Sequence, residues 1–571
     1  MRGIDVGAVA RLGASAAVAL ALAGPPAAGA DAVTPPATPR AHCGPGSRPE
    51  PGMQGRVSAD DVNSGRADQG FHCNIEQIGH EGASGGFKVL RFVDRAGHEC
   101  AYYDTTLLFP LNAQNLGDQP TGVAVLDMSN PAKPARTTTL ATPAMQSPHE
   151  SLNLSTKRGL LVAVLGNPIT HPGVVDVYDL NEDCRHPVLQ SSLPVGFLGH
   201  ESGFAPDGRT FYATSLFTGR VTAVDLTNPK LPTTITVFSS SSHGLTVSDD
   251  GTRGYAAELD VGLRIFDLSD IQWRKPNPQV REISRLDWET MTIPQIAIPV
   301  TIQGNRYSVE IDEFSTDKQG DDYAAFNGKW VGAARIIDIQ DERRPRVVSN
   351  MRLEVNQPEN RDKIANDPGA QSFVQGYAGH YCNVPQRKDP GIVACSFIGS
   401  GLRVFDIRDP EHPKEIAYFV APPGRAPVTG DRSDYAMSAA DFVPARREIW
   451  YSDGNSGFYA LRMAKGVWPF GDGDSGKPGV CLRKTRVAFR LHRVEGTRVV
   501  KVEAFVNGKR RLRVKGRDVR RVVLKGLRRT GRLRVRIVAT HNTGAKVVST
   551  RRWTGCKKGK PTVRLVRRGH R

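Results

Sequence analysis

Beyond its first 30 residues the chain has no apolar run near the roughly 20 residues that a spanning helix requires, so the mature sequence offers no transmembrane segment. Its eight cysteines never fall in a CxxC spacing, which removes zinc-ribbon and thioredoxin-type readings. P-loop and HExxH strings are absent. Acids are missing from one end only. From Leu482 to Arg571 there are three (Glu495, Glu503 and Asp518) against 31 Lys and Arg, a net +28. The whole chain of 571 residues is +18, so the remainder is net −10. A mildly acidic body is joined to a strongly cationic end.

The N-terminus reads as an export signal over residues 1–30. Arg2 and Arg11 form a positive region, Gly13 to Ala23 a short apolar run, and Ala28-Gly-Ala30 a small-residue cleavage site. The expected location is therefore extracellular, either released or retained at the cell surface. Exported cysteines in even number argue for bridges. Cys382–Cys395 across one hairpin and Cys481–Cys556 across the last domain are the expected pairs, and Cys73–Cys100 and Cys43–Cys184 follow by elimination.

What the chain does contain is a repeat. Six segments end a β-branched or aromatic run at aspartate: Gly122 to Asp127, Val174 to Asp179, Arg220 to Asp225, Gly262 to Asp267, Ala334 to Asp338 and Gly401 to Asp406. Aspartate suits a strand exit because its carboxylate bonds backbone N–H groups just ahead. Proline follows seven residues later at Pro134, Pro232, Pro345 and Pro413, and one residue later again at Pro187. Turn sequences such as Asp207-Gly208 and Asp250-Gly251 precede further strands. Each unit thus supplies an inner strand, a second strand, the Asp-terminated strand and an outer strand, which is a propeller blade. The aspartates lie 52, 46, 42, 71 and 68 residues apart, so the two long gaps imply insertions, placed at Ile271 to Tyr307 and Val355 to Gly379. A degenerate copy, Gly457 to Arg462, gives an expected all-β, seven-bladed propeller, with six or eight blades as the alternatives. The strand near Cys73 to Ile78 is placed to complete the last blade.

These segments resemble the strand motif of secreted bacterial proteins with LVIVD repeats, over roughly Phe71 to Met463. The resemblance implies a propeller and interaction at the cell surface, and it brings no catalytic residues with it. The resulting domain plan is a 31–70 extension, a 71–463 propeller, a 464–480 Gly/Pro-rich linker, a 481–556 basic domain and a 557–571 basic tail. In the basic domain, apolar and basic residues alternate over Val487 to Leu491, Val499 to Val506, Val519 to Leu524 and Leu533 to Ala539. With Asn507-Gly508 as a hairpin turn, this pattern predicts a small immunoglobulin-like β-sandwich.

Histidine and glutamate recur where inner strands begin, at His149, Glu150, His200, Glu201, His243, Glu310 and His380. Radial sheets would bring these positions to one axis, where imidazole and carboxylate suit a divalent transition metal or a polar ligand. The alternative is that they hydrogen-bond neighbouring blades and fill a wet channel. His80-Glu81 and His98-Glu99 repeat the dipeptide in an unassigned register. Asp453 to Gly457 and Asp472 to Gly476 faintly resemble calcium loops but lack the spaced acids, and read as turns. Export argues against a nucleic-acid partner for the basic domain and favours an anionic cell-envelope polymer, while the propeller face suits a protein. Two functions therefore stand side by side: an extracellular binding or scaffold protein, and a metal-dependent extracellular enzyme with its site at the channel.

Overall fold

A computed structural model describes residues 34–553 and 566–568, apart from 108, 167–172, 260, 317–322, 325–327, 371–375, 426–431, 471–486, 492–497, 528–532 and 545. The export signal and the Cys481–Cys556 pair lie outside the described residues, as does most of the linker and tail. Between Phe71 and Met463 the chain forms six four-stranded sheets and one of five strands, each an antiparallel meander of the β-propeller kind. Their first, edge strands are Val89–Val93, Asn153–Ser155, Gly203–Phe204, Ser242–Val247, Ile293–Ile302, Gly379–Asn383 and Asp441–Val443. The second and third strands are the buried ones, as in Leu160–Val164 and Val123–Asp127.

The repeated aspartate has a uniform role. Oδ1 of Asp127, Asp179, Asp225, Asp267, Asp338 and Asp406 each accepts the backbone N–H two residues ahead, at 2.8–3.0 Å. The next residue (Met128, Leu180, Leu226, Leu268, Ile339 or Ile407) is buried, and its amide donates to a backbone carbonyl at or just before the start of the second strand. One side chain therefore ends the strand, anchors the turn and plugs the blade base.

The N-terminal chain closes the series. Ile75–Glu81 pairs antiparallel with Gly457–Met463 as the outer strand of the last sheet, and Phe71–Cys73 adds a fifth strand to the preceding sheet beside Lys414–Val420. The first and last sheets meet directly: Val89 N–H donates to Ala439 O, Ala439 N–H donates to Phe87 O, and both sheets feed one apolar cluster with Tyr103, Leu126, Trp450 and Phe458. Closure of this kind removes the exposed edges that would otherwise template aggregation.

Two expectations need correction. Ile271 to Tyr307 is not an insertion. Arg281–Leu286 is the outer strand of the fourth sheet, and Ile293–Ile302 pairs with Asn305–Glu313 as the first hairpin of the fifth. The extra length lies instead between the second and third strands of the fifth sheet, where Ser315–Thr316 pairs with Tyr323–Ala324 and Trp330–Val331. Among the described residues the disulfides are Cys43–Cys73, Cys100–Cys184 and Cys382–Cys395. Cys382–Cys395 sits across its hairpin as expected. Cys73–Cys100 and Cys43–Cys184 do not form, because Cys73 is on the strand against which the N-terminal extension lies, while Cys100 faces the enlarged loop of the next sheet.

In the basic region, Val487–Arg490 pairs with Arg521–Leu524, and a second sheet runs in the order Lys509–Lys515, Val499–Val506, Leu533–His541, Lys546–Trp553, Val566–Arg568. Phe489, Val502, Ala504, Val522, Leu524, Val535 and Ile537 share one core between the two sheets. Asn507 and Gly508, at φ 47° and 85°, make the hairpin turn expected of an Asn-Gly pair. No helix among the described residues is long and apolar enough to cross a membrane.

Candidate functional site

His149, His200, His243 and His380 enter or begin the first strands of four different sheets. All four are buried, and with Glu150 and Glu313 they form one cluster. Glu150 is its hub. Its Oε1 lies 3.1 Å from His380 Nε2, and its Oε2 lies 3.4 Å from His200 Nε2 and 3.7 Å from His243 Nε2. Glu313 closes the other side, 3.3 Å from His243 Nε2 and 3.3 Å from His380 Nε2. The His149, His200 and His243 rings stack in series at 4.2 and 4.4 Å between centroids, and Phe87 packs edge-on to His149 at 4.8 Å.

The surrounding backbone fixes which nitrogen faces inward. His243 Nδ1 lies 3.0 Å from Pro294 O and His380 Nδ1 lies 2.7 Å from Met437 O, so Nδ1–H donates outward and Nε2 is left toward the carboxylates. That is the orientation in which an outer partner sets a ligating imidazole. Two backbone positions beside the cluster are held in the left-handed region without glycine: His149 at φ 51° and Phe314, next to Glu313, at φ 59°. Such conformations cost on the order of 1–3 kcal/mol and gather at functional sites. Gly166 makes the close approach to His149 possible, since a Cβ there would lie 2.4 Å from the His149 Cβ.

Burial lowers the pKa of His149 to about 4 and pushes His200 well below the usual imidazole range. Burial also opposes ionisation of Glu150, but the four imidazoles around it prevail and hold its carboxyl well below normal. For His380, burial is overcome by Glu150 and Glu313, and its pKa rises to about 9. Beside the cluster, Lys88 Nζ lies 2.6 Å from Glu201 Oε2 and 4.3 Å from the centre of the Tyr381 ring, and the Tyr381 hydroxyl donates to Glu201. Glu201 is thus committed to an ion pair that links the first, third and sixth sheets, separate from the imidazoles.

Glu310 is misplaced by the sequence pattern. It sits on the second strand of the fifth sheet and pairs with the buried Arg335. The residue that reaches the histidines is Glu313, and one signal could have found it. Second strands also end in a buried acid at Asp104, Glu258 and Asp453. The dipeptides His80-Glu81 and His98-Glu99 are elsewhere: His80 contacts Ser456 O, Glu81 binds Arg136, and His98 binds Asp94 while Glu99 binds Arg91. Asp94, His98 and Asp183 form a second group of ligand-type atoms, but Arg185 already occupies Asp183. Asp453 caps a turn through Asn455 N–H and Ser456; Asp472 to Gly476 lies outside the described residues. Gly82 to Gly86 spells G-x-S-x-G, yet the buried Ser84 hydroxyl donates to Thr105 O and has no histidine partner. Gly471 to Gly476 spells G-x-G-x-x-G within the linker, outside the described residues.

No protein-family model and no curated protein matches the sequence. Similar solved structures include a putative 6-phosphogluconolactonase from Bacteroides uniformis, at 11% identity and TM-score 0.39 over 58% of this chain and 85% of that one. Others are the WD40 repeats of RRP9, at 10% identity and TM-score 0.41 over 68% and 97%, and the periplasmic gluconolactonase PpgL of Pseudomonas aeruginosa, at 12% identity and TM-score 0.36 over 60% and 86%. Likenesses this distant carry no functional argument, and the propeller assignment rests on the strand pairing described above.

Proposed function

We propose that the chain is an exported, seven-bladed propeller protein of LVIVD type whose axis binds one divalent transition-metal ion through His149, His200, His243 and His380, with Glu150 and Glu313 completing the donor set. The observation that carries this reading is the set of five N···O separations of 3.1–3.7 Å among His200, His243, His380, Glu150 and Glu313, with a ligand atom of His149 within 4.8 Å of those of Glu150 and His200. Donors about 2.1 Å from a common ion lie about 3.0 Å apart at the edges of an octahedron and about 3.4 Å apart in a tetrahedron. Most of these contacts are long for charge-assisted hydrogen bonds and suit the edges of a coordination polyhedron. Imidazole-rich donors with carboxylates favour zinc, copper, iron or nickel over calcium or magnesium. A bound ion would polarise a coordinated water or carbonyl, which is the basis of metal-dependent enzyme chemistry. Elemental analysis of protein purified without a His tag tests the reading. About one equivalent of metal per chain, lost when His200 and His380 are replaced by alanine, is the expected result, and no metal after reconstitution would refute it.

A second reading concerns the C-terminal module, taken as an immunoglobulin-like sandwich that retains the protein at an anionic envelope polymer. It is favoured by one sheet face. Lys501, Arg510, Arg513, Lys515 and Arg536 share that face with the single acid Glu503. Retention on isolated wall material that falls steeply with salt is expected. Retention that ignores salt would remove the reading.

A further inference from the structure

We infer that the buried guanidinium of Arg352 anchors a binding site for a small oxyanion, a phosphate or carboxylate group. The described residues include three arginines whose side chains are almost wholly buried, and two have their charge met in full. Arg335 forks onto Asp312 and also reaches Glu310, and Arg403 bridges Glu50 and Glu415. Arg352 is equally buried and has no such partner. Among the described residues its only side-chain hydrogen bond runs from Nη2 to Asn356 O at 3.2 Å, while Nε and Nη1 have no acceptor.

The local structure holds this side chain in place. Arg352 directly follows the outer strand Arg346–Met351, and its backbone is tied to the N-terminal extension by Thr38 on both sides: Thr38 N–H donates to Arg352 O at 2.8 Å, and Arg352 N–H donates to Thr38 Oγ1 at 3.0 Å. Asp312 acts on Arg352 through space and makes no hydrogen bond to it. Both its oxygens are taken by Arg335, and Oδ2 also accepts Trp288 Nε1–H at 2.9 Å and Thr292 N–H. Nearby Arg335 itself leaves Nε without an acceptor, and the positive field of Arg335 and Arg361 is opposed through space by Asp312 and Glu359, neither of which bonds the Arg352 guanidinium. Burial, followed by the charge of Arg335, lowers the Arg352 pKa to about 10, so the group stays cationic at neutral pH.

A buried guanidinium with unmet donors is costly twice, once for its charge and once for its N–H groups. Water would satisfy the donors and leave the charge. An oxyanion satisfies both, because phosphate and carboxylate oxygens accept several charge-assisted bonds from the fixed fork of arginine.

The experiment uses the full mature chain stripped of metal, so that no bound ion offers an anion a ligand position, and a response from the cationic C-terminal module is recognised because it survives in R352M. Melting temperature and calorimetric heats are followed on titration with sodium phosphate, sodium acetate and, as an ionic-strength control, sodium chloride. A saturable rise with phosphate or acetate beyond that with chloride is expected, and whichever anion acts identifies the source. R352M, an apolar replacement of similar length, is expected to melt no lower than wild type in anion-free buffer and to weaken the anion response by about tenfold or more, as loss of a charged hydrogen-bond partner implies. If R352M fails to fold, a selenate soak of wild-type crystals replaces it, with an anomalous peak within hydrogen-bond distance of the Arg352 guanidinium expected. No saturable response in wild type, an undiminished response in R352M, or an empty site after selenate would overturn the proposal.

Discussion

The Cys100–Cys184 bridge should contribute more to stability than any other disulfide among the described residues. It joins the second strand of the first sheet to the loop between the third and fourth strands of the second, at a sequence separation of 84. Cys43–Cys73 has a separation of 30 and Cys382–Cys395 of only 13. On a chain-entropy basis those loops correspond to about 4.5, 3.6 and 2.9 kcal/mol respectively. Cys100 and Cys184 are fully buried among Tyr102, Leu152 and Leu161, so alanine is the replacement that avoids stranding a hydroxyl. The assay is guanidinium unfolding of C100A/C184A and C382A/C395A against wild type in one oxidising buffer, preceded by non-reducing peptide mapping. The larger loss of unfolding free energy is expected for C100A/C184A, with a steeper slope because the uncrosslinked unfolded chain exposes more surface. The reasoning fails if the hairpin bridge proves the costlier to remove, or if mapping recovers Cys73 linked to Cys100.

Other consequences are more local. Asp338→Ala removes the acceptor for Gln340 N–H at an exposed strand exit and should cost about 1 kcal/mol in thermal unfolding, comparable with loss of a helix cap. Asp104 is buried, and that burial outweighs the Phe87 and Lys88 amides it accepts, raising its pKa to about 7. Because the folded-state value is raised, the proton is held more tightly after folding. Its stabilising contribution is complete below about pH 4 and is lost as pH rises through 7, so Asp104→Asn should flatten that part of the melting-temperature profile. In the basic module, Arg513→Glu with Lys515→Glu should cut retention on anionic wall polymer at low salt while leaving the melting temperature of the propeller unchanged.

The repeat was legible because one physical device was copied. Each strand-ending aspartate performs the same two-residue hydrogen bond, so its spacing survives wherever loops differ. His149, His200, His243 and His380 were legible for the same reason, as each marks the start of a first strand. Glu313 was not. With Ile271 to Tyr307 read as an insertion, the chain after Tyr307 looks like a first strand with Glu310 near its start, whereas Asn305–Glu313 is the second strand and its acid at the axis comes at its end, before the left-handed Phe314. The false insertion has a related origin. Arg281–Leu286 is half exposed and reads as loop, and the connection before it carries the short helix Ser269–Gln272. Disulfide connectivity follows which blades are neighbours in space, and spacing along the chain does not report that.

X-ray absorption at the metal edge, on protein loaded with a single equivalent of zinc or copper, tests the axial cluster most directly. The account predicts a nitrogen- and oxygen-only inner shell at about 2.0–2.2 Å with the outer-shell scattering of several imidazoles, abolished in His243→Ala/His380→Ala. A shell without imidazole, or one unchanged in that double variant, would place the ion elsewhere and contradict the account.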